Sequence, residues 1–468
     1  MKLKDLICNS GAVLLEGTED TEIEGISSDS RTIRPGYAFL AVKGFAQDGN
    51  AYIPAAKAAG AIAIVSCDRH ALAICAANFY GNPSRKLKLV GITGTNGKTT
   101  TVTLLYHLLS GLGEPCGLLS TIANYVAGEC FEAVNTTSDP ITINSLMAQM
   151  VEKGCKYCFM EVSSIGVEQE RIAGLDFDVA LFSNLTHDHL DYHKTFAEYL
   201  RCKKLFFDNL GKKAVAITNI DDKNGRIMVQ NTPAKVITYS CRGVADHKCK
   251  VLEEGFEGML LRIDGRECWT RLFGAHNAYN ILAIYCAALA LGLDAETTLV
   301  GISRLQAARG RLEGIVGPKN ICAVIDYAHT PDALENVLKT LRDVAPKRRL
   351  ICLFGCGGDR DRTKRPEMAA IAQKWADRLV ITSDNSRTEK TADIIAEIKT
   401  GLNAEGRRKA ICIEDREEAI RAALMTAEPG ATVLMAGKGH ETYQIIGTEK
   451  RHFDEREIVE KVFAEMNE

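Results

Sequence analysis

Leu87-Lys88-Leu89-Val90-Gly91-Ile92-Thr93-Gly94-Thr95-Asn96-Gly97-Lys98-Thr99-Thr100 is the stretch on which the reading of the fold turns. Its first half is a short apolar run that follows the turn formers Gly81-Asn82-Pro83-Ser84-Arg85, so it reads as a buried strand from Leu87 to Ile92. Behind it Val102, Leu105, Leu108, Leu109 and Leu112 recur at helical spacing. A glycine-bearing turn between a strand and a helix is the setting of a phosphate loop. The glycines let backbone N–H groups point at an anion, and the helix N-terminus adds partial positive charge. Lys98 can neutralise terminal phosphates and Thr99 can hold magnesium. Gly94 stands three residues before Gly97, where the commonest pattern has a glycine five before, so an ordinary turn opening a helix is the bland alternative.

Outward from this loop, 468 residues predict about three domains. Residues 1–86 mix short strands such as Ala38–Val42 with an Ala-rich helical stretch from Ile53 to Ala61, as in a small α/β domain. Residues 87–307 alternate short β runs with helices, as in a mostly parallel sheet. The alternation restarts over residues 308–468. Strands at Ile321–Tyr327, Leu350–Phe354 and Leu379–Ser383, with helices from Pro331 and Pro366, predict a Rossmann-like doubly wound unit.

Composition narrows the partners. A net charge of −3 supplies no diffuse basic field for nucleic acid or acidic lipid, so any anion must be held locally. The start of the chain has no signal-peptide pattern, and the apolar stretch Ile281–Leu291 is too short for a membrane span and reads as a core helix. Sixteen cysteines without a secretion signal predict reduced thiols in the cytoplasm. Cys155-Lys156-Tyr157-Cys158 has metal or redox spacing, but no second pair completes a zinc set, so burial is the expected role.

Three further features carry chemistry. Cys158-Phe159-Met160 leads into Glu161, placing a carboxylate at a strand's C-terminal edge, where open α/β sheets collect their sites; a solvated surface glutamate is the alternative. Asn184-Leu185-Thr186-His187-Asp188-His189-Leu190-Asp191-Tyr192-His193 is dense in polar groups after the apolar Val179–Phe182, although any one of these histidines, taken alone, fits a surface or capping role. In the next helix Phe196, Leu200, Phe207 and Leu210 form a stripe, and Lys203 falls inside it while Lys204 lies to the side. Lys203 is therefore expected to point inward. A buried ammonium must be paired, deprotonated or modified, unless the side chain snorkels to water.

These segments, in order, resemble the Mur ligase family, whose members join amino acids to the growing peptidoglycan peptide. The resemblance runs through the whole chain. It rests on the phosphate loop, Glu161-Val162-Ser163-Ser164, Asn184 to Asp191, Gly274-Ala275-His276-Asn277 with Asn280, and Arg309-Gly310-Arg311-Leu312-Glu313. Asp326 to Pro331, Gly355 to Arg360 and Gly437-Lys438-Gly439-His440-Glu441 are similar to the diaminopimelate-adding members. The resemblance implies an ATP-dependent amide-bond-forming ligase of cell-wall synthesis, tied to cell shape and division, acting through an acyl phosphate.

By the same resemblance Gly94, Thr95, Asn96, Gly97, Lys98, Thr99 and Thr100 bind ATP, joined by Asn277, Asn280, Arg311, Asp326 and His329. Thr99 and Glu161 hold one Mg2+, and His189 and Lys203 a second, with Lys203 carried as its carbamate. Lys98, Glu161, His189 and Lys203 are the expected catalytic set. Ser28, Ser30, Phe45, Ala46, Gln47, Thr136, Thr137, Ser163, Gln169 and Arg171 match the region that takes UDP-N-acetylmuramoyl-dipeptide. Arg360, Asp384, Asn385, Ser386, Arg387, Gly437 and Glu441 match the region that takes meso-diaminopimelate. The protein is expected to act as a monomer.

The diaminopimelate-adding members typically have proline at the position of Ser386, and its absence leaves this loop less constrained. Arg387 is retained, and a guanidinium grips the distal carboxylate that lysine lacks, so diaminopimelate is favoured over lysine; a mere surface arginine is the alternative. The competing readings are a lysine-adding or folate polyglutamate ligase and, from another class, an ATP-binding switch. The switch would turn ATP over without an amine acceptor.

Overall fold

The structure, a computed structural model, describes residues 1–44, 48–186 and 190–467, together with the backbone but not the side chains of Leu190 and Asp191. Phe45, Ala46, Gln47 and His189 lie outside the described residues, so their expected roles are not addressed by it. By contact density the chain divides into two compact units, Met1–Lys250 with Ile263–Arg266 and Tyr279–Ile302, and Val251–Arg262 with Glu267–Ala278 and Ser303–Glu468.

The first unit opens with a four-stranded sheet of order β1-β4-β3-β2, made of β1 (Val13–Glu16), β2 (Gly25–Ser27), β3 (Tyr37–Val42) and β4 (Ala63–Cys67). The Ala-rich stretch forms a helix over Ile53–Ala58, shorter than expected because Gly60 at φ 101° turns the chain into β4.

The unit's second sheet is built around β5 (Lys88–Thr93). With it go β6 (Cys116–Leu119), β7 (Asn124–Val126), β8 (Glu129–Phe131), β9 (Tyr157–Glu161), β10 (Val179–Phe182), β11 (Val215–Asn219) and β12 (Lys235–Ser240). Beyond β12 the first residues of β13 (His247–Gly255) pair in parallel, Tyr239 with His247. β5 is hydrogen-bonded on one side to β9 and on the other to β10, all parallel. Chain leaving β5 therefore emerges where neighbouring connections diverge, the crevice in which such sheets bind ligands.

β5 is apolar because helices cover both of its faces. A Cβ on Gly91 would lie 2.6 Å from the Phe177 ring and 2.7 Å from the Phe206 ring, so the absent side chain lets two aromatic rings pack on the strand. Full burial of each ring stabilises by roughly 1.5–3 kcal/mol. Ile281–Ala288 are all buried within the helix Ala275–Ala290, in line with a core role, and no helix among the described residues is long and apolar enough to cross a membrane. Cys155 and Cys158 are buried free thiols.

The second unit begins with the rest of β13, β14 (Gly258–Ile263) and β15 (Arg266–Thr270). It then builds a six-stranded sheet of order β16-β17-β21-β18-β19-β20. Its strands are β16 (Glu313–Val316), β17 (Cys322–Asp326), β18 (Leu350–Phe354), β19 (Arg378–Ile381), β20 (Ala410–Cys412) and β21 (Thr432–Ala436). All pair in parallel except β16. The helix Pro331–Val344 starts with proline in its first turn, where its missing N–H costs nothing, and Thr330 accepts from Ala333 N as the cap. The helix expected from Pro366 starts two residues earlier, at Lys364.

Candidate active site

The loop after β5 is held open by its neighbours. Thr95 N donates to Asn184 O (2.8 Å) and Asn96 N to Asn184 Oδ1 (3.0 Å), while Ser183 Oγ donates to Asn96 O (2.6 Å). The segment after β10 thus braces the loop from outside. Gly94 and Gly97 have φ of 150° and 88°, and a Cβ on Gly97 would stand 2.6 Å from Asn280 Oδ1. Asn280, expected on the adenine side, therefore packs directly on the loop. Lys98 opens the helix Lys98–Gly111, and its Nζ donates to Gly94 O and Thr95 O, each at 2.9 Å, which keeps the ammonium over the loop.

Glu161 ends β9 with 1% exposure. Its two oxygens are fixed separately: Oε2 accepts from Thr99 Oγ1 (3.0 Å) and Oε1 from Thr121 N (2.8 Å). A buried carboxylate with both oxygens engaged is oriented rather than solvated, so the surface alternative does not apply. The pair it makes with Thr99, hydroxyl beside carboxylate at the helix start, is a set of hard oxygen donors suited to Mg2+.

Lys203 is 1% exposed on the helix Phe196–Asp208 and donates to Gly94 O (2.8 Å) and Thr93 Oγ1 (3.5 Å), with Nζ 4.7 Å from the Tyr199 ring centroid. It points inward as its place in the helical stripe requires, and snorkelling is excluded. The stripe itself is displaced: Tyr199, Cys202, Lys203, Phe206 and Phe207 are buried, whereas Phe196 and Leu200 are half-buried. Tyr199 turns inward because its hydroxyl meets Thr95 Oγ1 at 3.1 Å. Lys204 pairs with Asp208 at the side.

A third group gathers beyond β9. Ser163 N donates to Thr137 Oγ1 (3.0 Å), and Thr137 Oγ1 donates to Glu161 O (2.9 Å). Arg171 donates through Nη1 to Thr137 O (2.5 Å) and through Nη2 to Gln169 Oε1 (2.8 Å), and Gln169 Nε2 donates to Tyr192 OH (3.1 Å). Burial pushes the Arg171 guanidinium below its ordinary range. Thr121 Oγ1 donates to Thr136 Oγ1 (3.1 Å), which ties this group to the Glu161 pocket. Thr136, Thr137, Ser163, Gln169 and Arg171 are thus brought together beside the phosphate loop. Ser28 is exposed and Ser30 opens a short 3-10 helix capped by Asp29 after β2.

In the second unit Asp326 ends β17, buried, and accepts from Leu312 N (2.7 Å) and Ala328 N (2.8 Å). Burial raises its carboxyl, against the pull of Arg311 and these two N–H groups. The Arg311 guanidinium carbon lies 5.0 Å from the Tyr327 ring centroid, and His329 Nδ1 is 2.8 Å from Tyr327 O. A Cβ on Gly310 would come within 2.2 Å of Gly439 C and His440 N, so the Arg309–Arg311 and Gly437–Glu441 segments touch backbone to backbone. Asn277, also in this unit, donates through Nδ2 to Phe273 O (2.8 Å).

The loop after β19 forms the last group. Asn385 Oδ1 accepts from Lys438 Nζ (3.2 Å) and Ile445 N (2.9 Å), and its Nδ2 donates to Glu441 Oε2 (2.9 Å). The amide is therefore fixed in one orientation. Asp384 is buried, which works to raise its carboxyl, but Lys438, Arg416 and the Asn385 N–H together hold it below the usual range. Gly437, at φ 118°, leaves room for Asp384 Oδ2, which would sit 2.7 Å from a Cβ there. Arg387, at φ 50°, donates through Nη1 to Gly358 O (2.8 Å). A Cβ on Gly357 would lie 3.0 Å from Arg387 Nη1 and 3.7 Å from Arg360 Cγ, so the two arginines flank that glycine. Ser386 is buried, with its carbonyl against Gly358. Arg387 is half-buried and anchored, not a loose surface side chain.

No local pattern assigns a role to Thr121, Ser183, Tyr199, Lys438 or Gln444, whose Nε2 donates to Ser383 Oγ and Asp384 O. Lys438 does carry a usable signal, since it stands inside the glycine-rich segment Gly437–Glu441. The others act through backbone groups or partners far along the chain.

The chain is similar to known proteins along nearly its whole length. Residues 22–90 match the model described as Mur ligase family, catalytic domain; residues 92–288 match the Mur ligase middle domain; residues 310–439 match the Mur ligase, glutamate ligase domain. A protein of Parabacteroides distasonis named UDP-N-acetylmuramoyl-L-alanyl-D-glutamate–2,6-diaminopimelate ligase is 48% identical, with 99% of each chain covered. One of Bacteroides fragilis with the same name is 47% identical over the same shares. A solved structure of a ligase of that name superposes with a TM-score of 0.74 at 30% identity, covering 100% of this chain and 99% of the other. The fold is the three-domain α/β arrangement of that family, with an N-terminal, a central mixed-sheet and a C-terminal sheet domain. With its phosphate loop, buried strand-end glutamate and inward lysine all standing where the matched regions run, the chain belongs to the Mur ligase family.

Proposed function

We infer that this chain is an ATP-dependent acid–amino-acid ligase that adds diaminopimelate to UDP-N-acetylmuramoyl-L-alanyl-D-glutamate in peptidoglycan synthesis, in the cytoplasm where nucleotide-linked precursor and ATP are found. The observation that carries the reading is the Thr99–Glu161 pair at the mouth of a glycine-lined anion cradle. We assign ATP binding to residues 87–307, the nucleotide-linked substrate to residues 1–86 and the incoming amino acid to residues 308–468.

The residues present fit the metal and the modification. Thr99 Oγ1 and Glu161 would hold one Mg2+, which supplies charge neutralisation at the phosphates and polarisation of the transferred phosphoryl group. Lys203 fits a carbamate in its burial and in its place against Gly94 O, because carbamylation replaces a costly buried ammonium by an anionic oxygen donor.

The chain's own groups then divide the work. Lys98 and the N–H groups at the start of the helix Lys98–Gly111, which Asn184 does not engage, bind and orient the triphosphate, while Thr121 and Thr99 keep Glu161 from rotating. Arg171, propped by Thr137 O and Gln169, offers a fixed cation to an anionic dipeptide next to the cradle. A γ-carboxylate oxygen of the D-glutamate attacks the terminal phosphorus and ADP leaves, giving the acyl phosphate. The neutral amine of diaminopimelate attacks the carbonyl carbon, and phosphate leaves as the amide forms. In the second unit the oriented Asn385, Asp384 and Arg387 supply donors and acceptors for an amino acid with a second, distal ammonium and carboxylate, a pattern that favours diaminopimelate over lysine.

The test is purified protein with ATP, Mg2+ and UDP-N-acetylmuramoyl-dipeptide, assayed for product mass with meso-diaminopimelate, LL-diaminopimelate and L-lysine in parallel. The expected product carries meso-diaminopimelate. A wide preference for lysine overturns the role of Arg387, and ATP turnover that ignores the acceptor overturns the ligase reading.

A further inference from the structure

Among the described residues, one group of three metal-ligating side chains lies apart from the donors assigned above. Glu168 ends the short helix Ser164–Glu168, His193 ends the helix Leu190–His193, and Cys202 sits mid-way along Phe196–Asp208, one residue before Lys203. One ligand atom from each lies within 4.8 Å of the other two. His193 is buried, and its Nε2 meets Ser164 Oγ at 2.8 Å, which turns Nδ1 toward Glu168 Oε2 at 3.6 Å. That Glu168 oxygen is buried and has no hydrogen-bond partner among the described residues. Cys202 is buried as well.

We propose that Glu168, His193 and Cys202 form a binding site for a borderline-soft divalent cation of the Zn2+ class, separate from the Mg2+ donors of the ligase reaction. The donor set makes the choice. Sulfur and imidazole nitrogen favour Zn2+, whereas Mg2+ takes oxygen ligands and keeps its water. Zinc bonds of about 2.0–2.3 Å place neighbouring tetrahedral ligands about 3.3–3.8 Å apart. The imidazole–carboxylate pair, at 3.6 Å, already stands at that separation, and the sulfur, within 4.8 Å of both, needs a shift of at most about 1 Å.

Cys202 is a free cysteine, in no disulfide. Uptake of the ion therefore exchanges the thiol proton for a metal–sulfur bond, releasing H+ with no change of oxidation state. The three ligands come from three separate elements, so the bound ion clamps the Lys203-bearing helix to the segment that follows β9.

The experiment is titration of the metal-free full-length protein with Zn2+ in the presence of saturating Mg2+, followed by calorimetry and thermal unfolding, with Co2+ as a spectroscopic probe. The expected result is one equivalent bound, a raised Tm and a near-ultraviolet sulfur-to-cobalt charge-transfer band. Cys202→Ser abolishes the band, and both it and Glu168→Gln weaken binding by at least about tenfold. Because Glu168 is partly exposed, E168Q leaves folding intact and keeps the test valid should C202S fold poorly. Absence of a sulfur band, or binding that survives both substitutions and is lost in Glu161→Gln, overturns the proposal.

Discussion

Replacing Thr99 by valine removes one O–H group and little else, since the two side chains have nearly the same shape. The hydroxyl donates to Glu161 Oε2 at 3.0 Å in a buried setting. A hydrogen bond to a charged acceptor contributes about 1.5–3 kcal/mol, so the loss corresponds to roughly 10- to 150-fold. Thr121 N still holds the other carboxylate oxygen at 2.8 Å, so Glu161 keeps its position in part and the fold survives. If Thr99 supplies a magnesium ligand, kcat/KM for ATP falls by that factor and the Mg2+ concentration for half-maximal rate rises. Thr99→Ser keeps the oxygen and loses a methyl group, at a cost of about 0.8 kcal/mol in stability with near-normal Mg2+ dependence. The assay is phosphate release at fixed ATP over a Mg2+ series, with Tm measured for each variant. A folded Thr99→Val enzyme with the Mg2+ requirement of the unsubstituted protein would refute the reasoning.

Other perturbations test the second unit. Gly310→Ala meets Gly439 C and His440 N, both backbone atoms, at 2.2 Å, and must also hold φ near 65°. A Tm drop equivalent to 3 kcal/mol or more, on the order of overpacking plus left-handed strain, is expected. Arg387→Lys retains the charge but loses the planar fork, so KM for diaminopimelate should rise about 10-fold or more while KM for ATP stays put. Burial, with Arg311 and Arg309 adding to it, lowers His440 from 6.5 to about 4. The unfolded chain therefore binds more protons between those values, and this contribution to stability is present above pH 6.5 and lost as pH falls toward 4. Urea unfolding midpoints across that range should decline less steeply in His440→Gln than in the unsubstituted protein; identical slopes would remove His440 from the account.

What the sequence made legible were features carried by local pattern. A strand, two glycines and Lys98 at a helix start are contiguous, and the inward face of Lys203 follows from its spacing to Phe207 and Leu210. The phase of that helix was legible only to within a residue. Tyr199 is drawn in by a hydroxyl contact to Thr95, 104 residues away, which no periodicity encodes. Thr121 is invisible for a similar reason, because it acts through its backbone N–H on a glutamate 40 residues distant. In the second unit the Arg416–Glu455 ion pair is fully buried, and Arg416 also donates to Ser383 O and Ala436 O. Two charges 39 residues apart on polar-looking helices read as solvated until the sheet brings their ends together. The strand order, with β5 between β9 and β10, also arises from pairing that single segments do not reveal.

The central claim is that the substrate's own carboxylate oxygen attacks phosphorus before the amide forms. UDP-N-acetylmuramoyl-dipeptide labelled with 18O in the D-glutamate γ-carboxylate, turned over with ATP and diaminopimelate, tests it directly. One 18O atom is expected in each inorganic phosphate released, with the other retained in the amide. Unlabelled phosphate formed together with labelled product would contradict it.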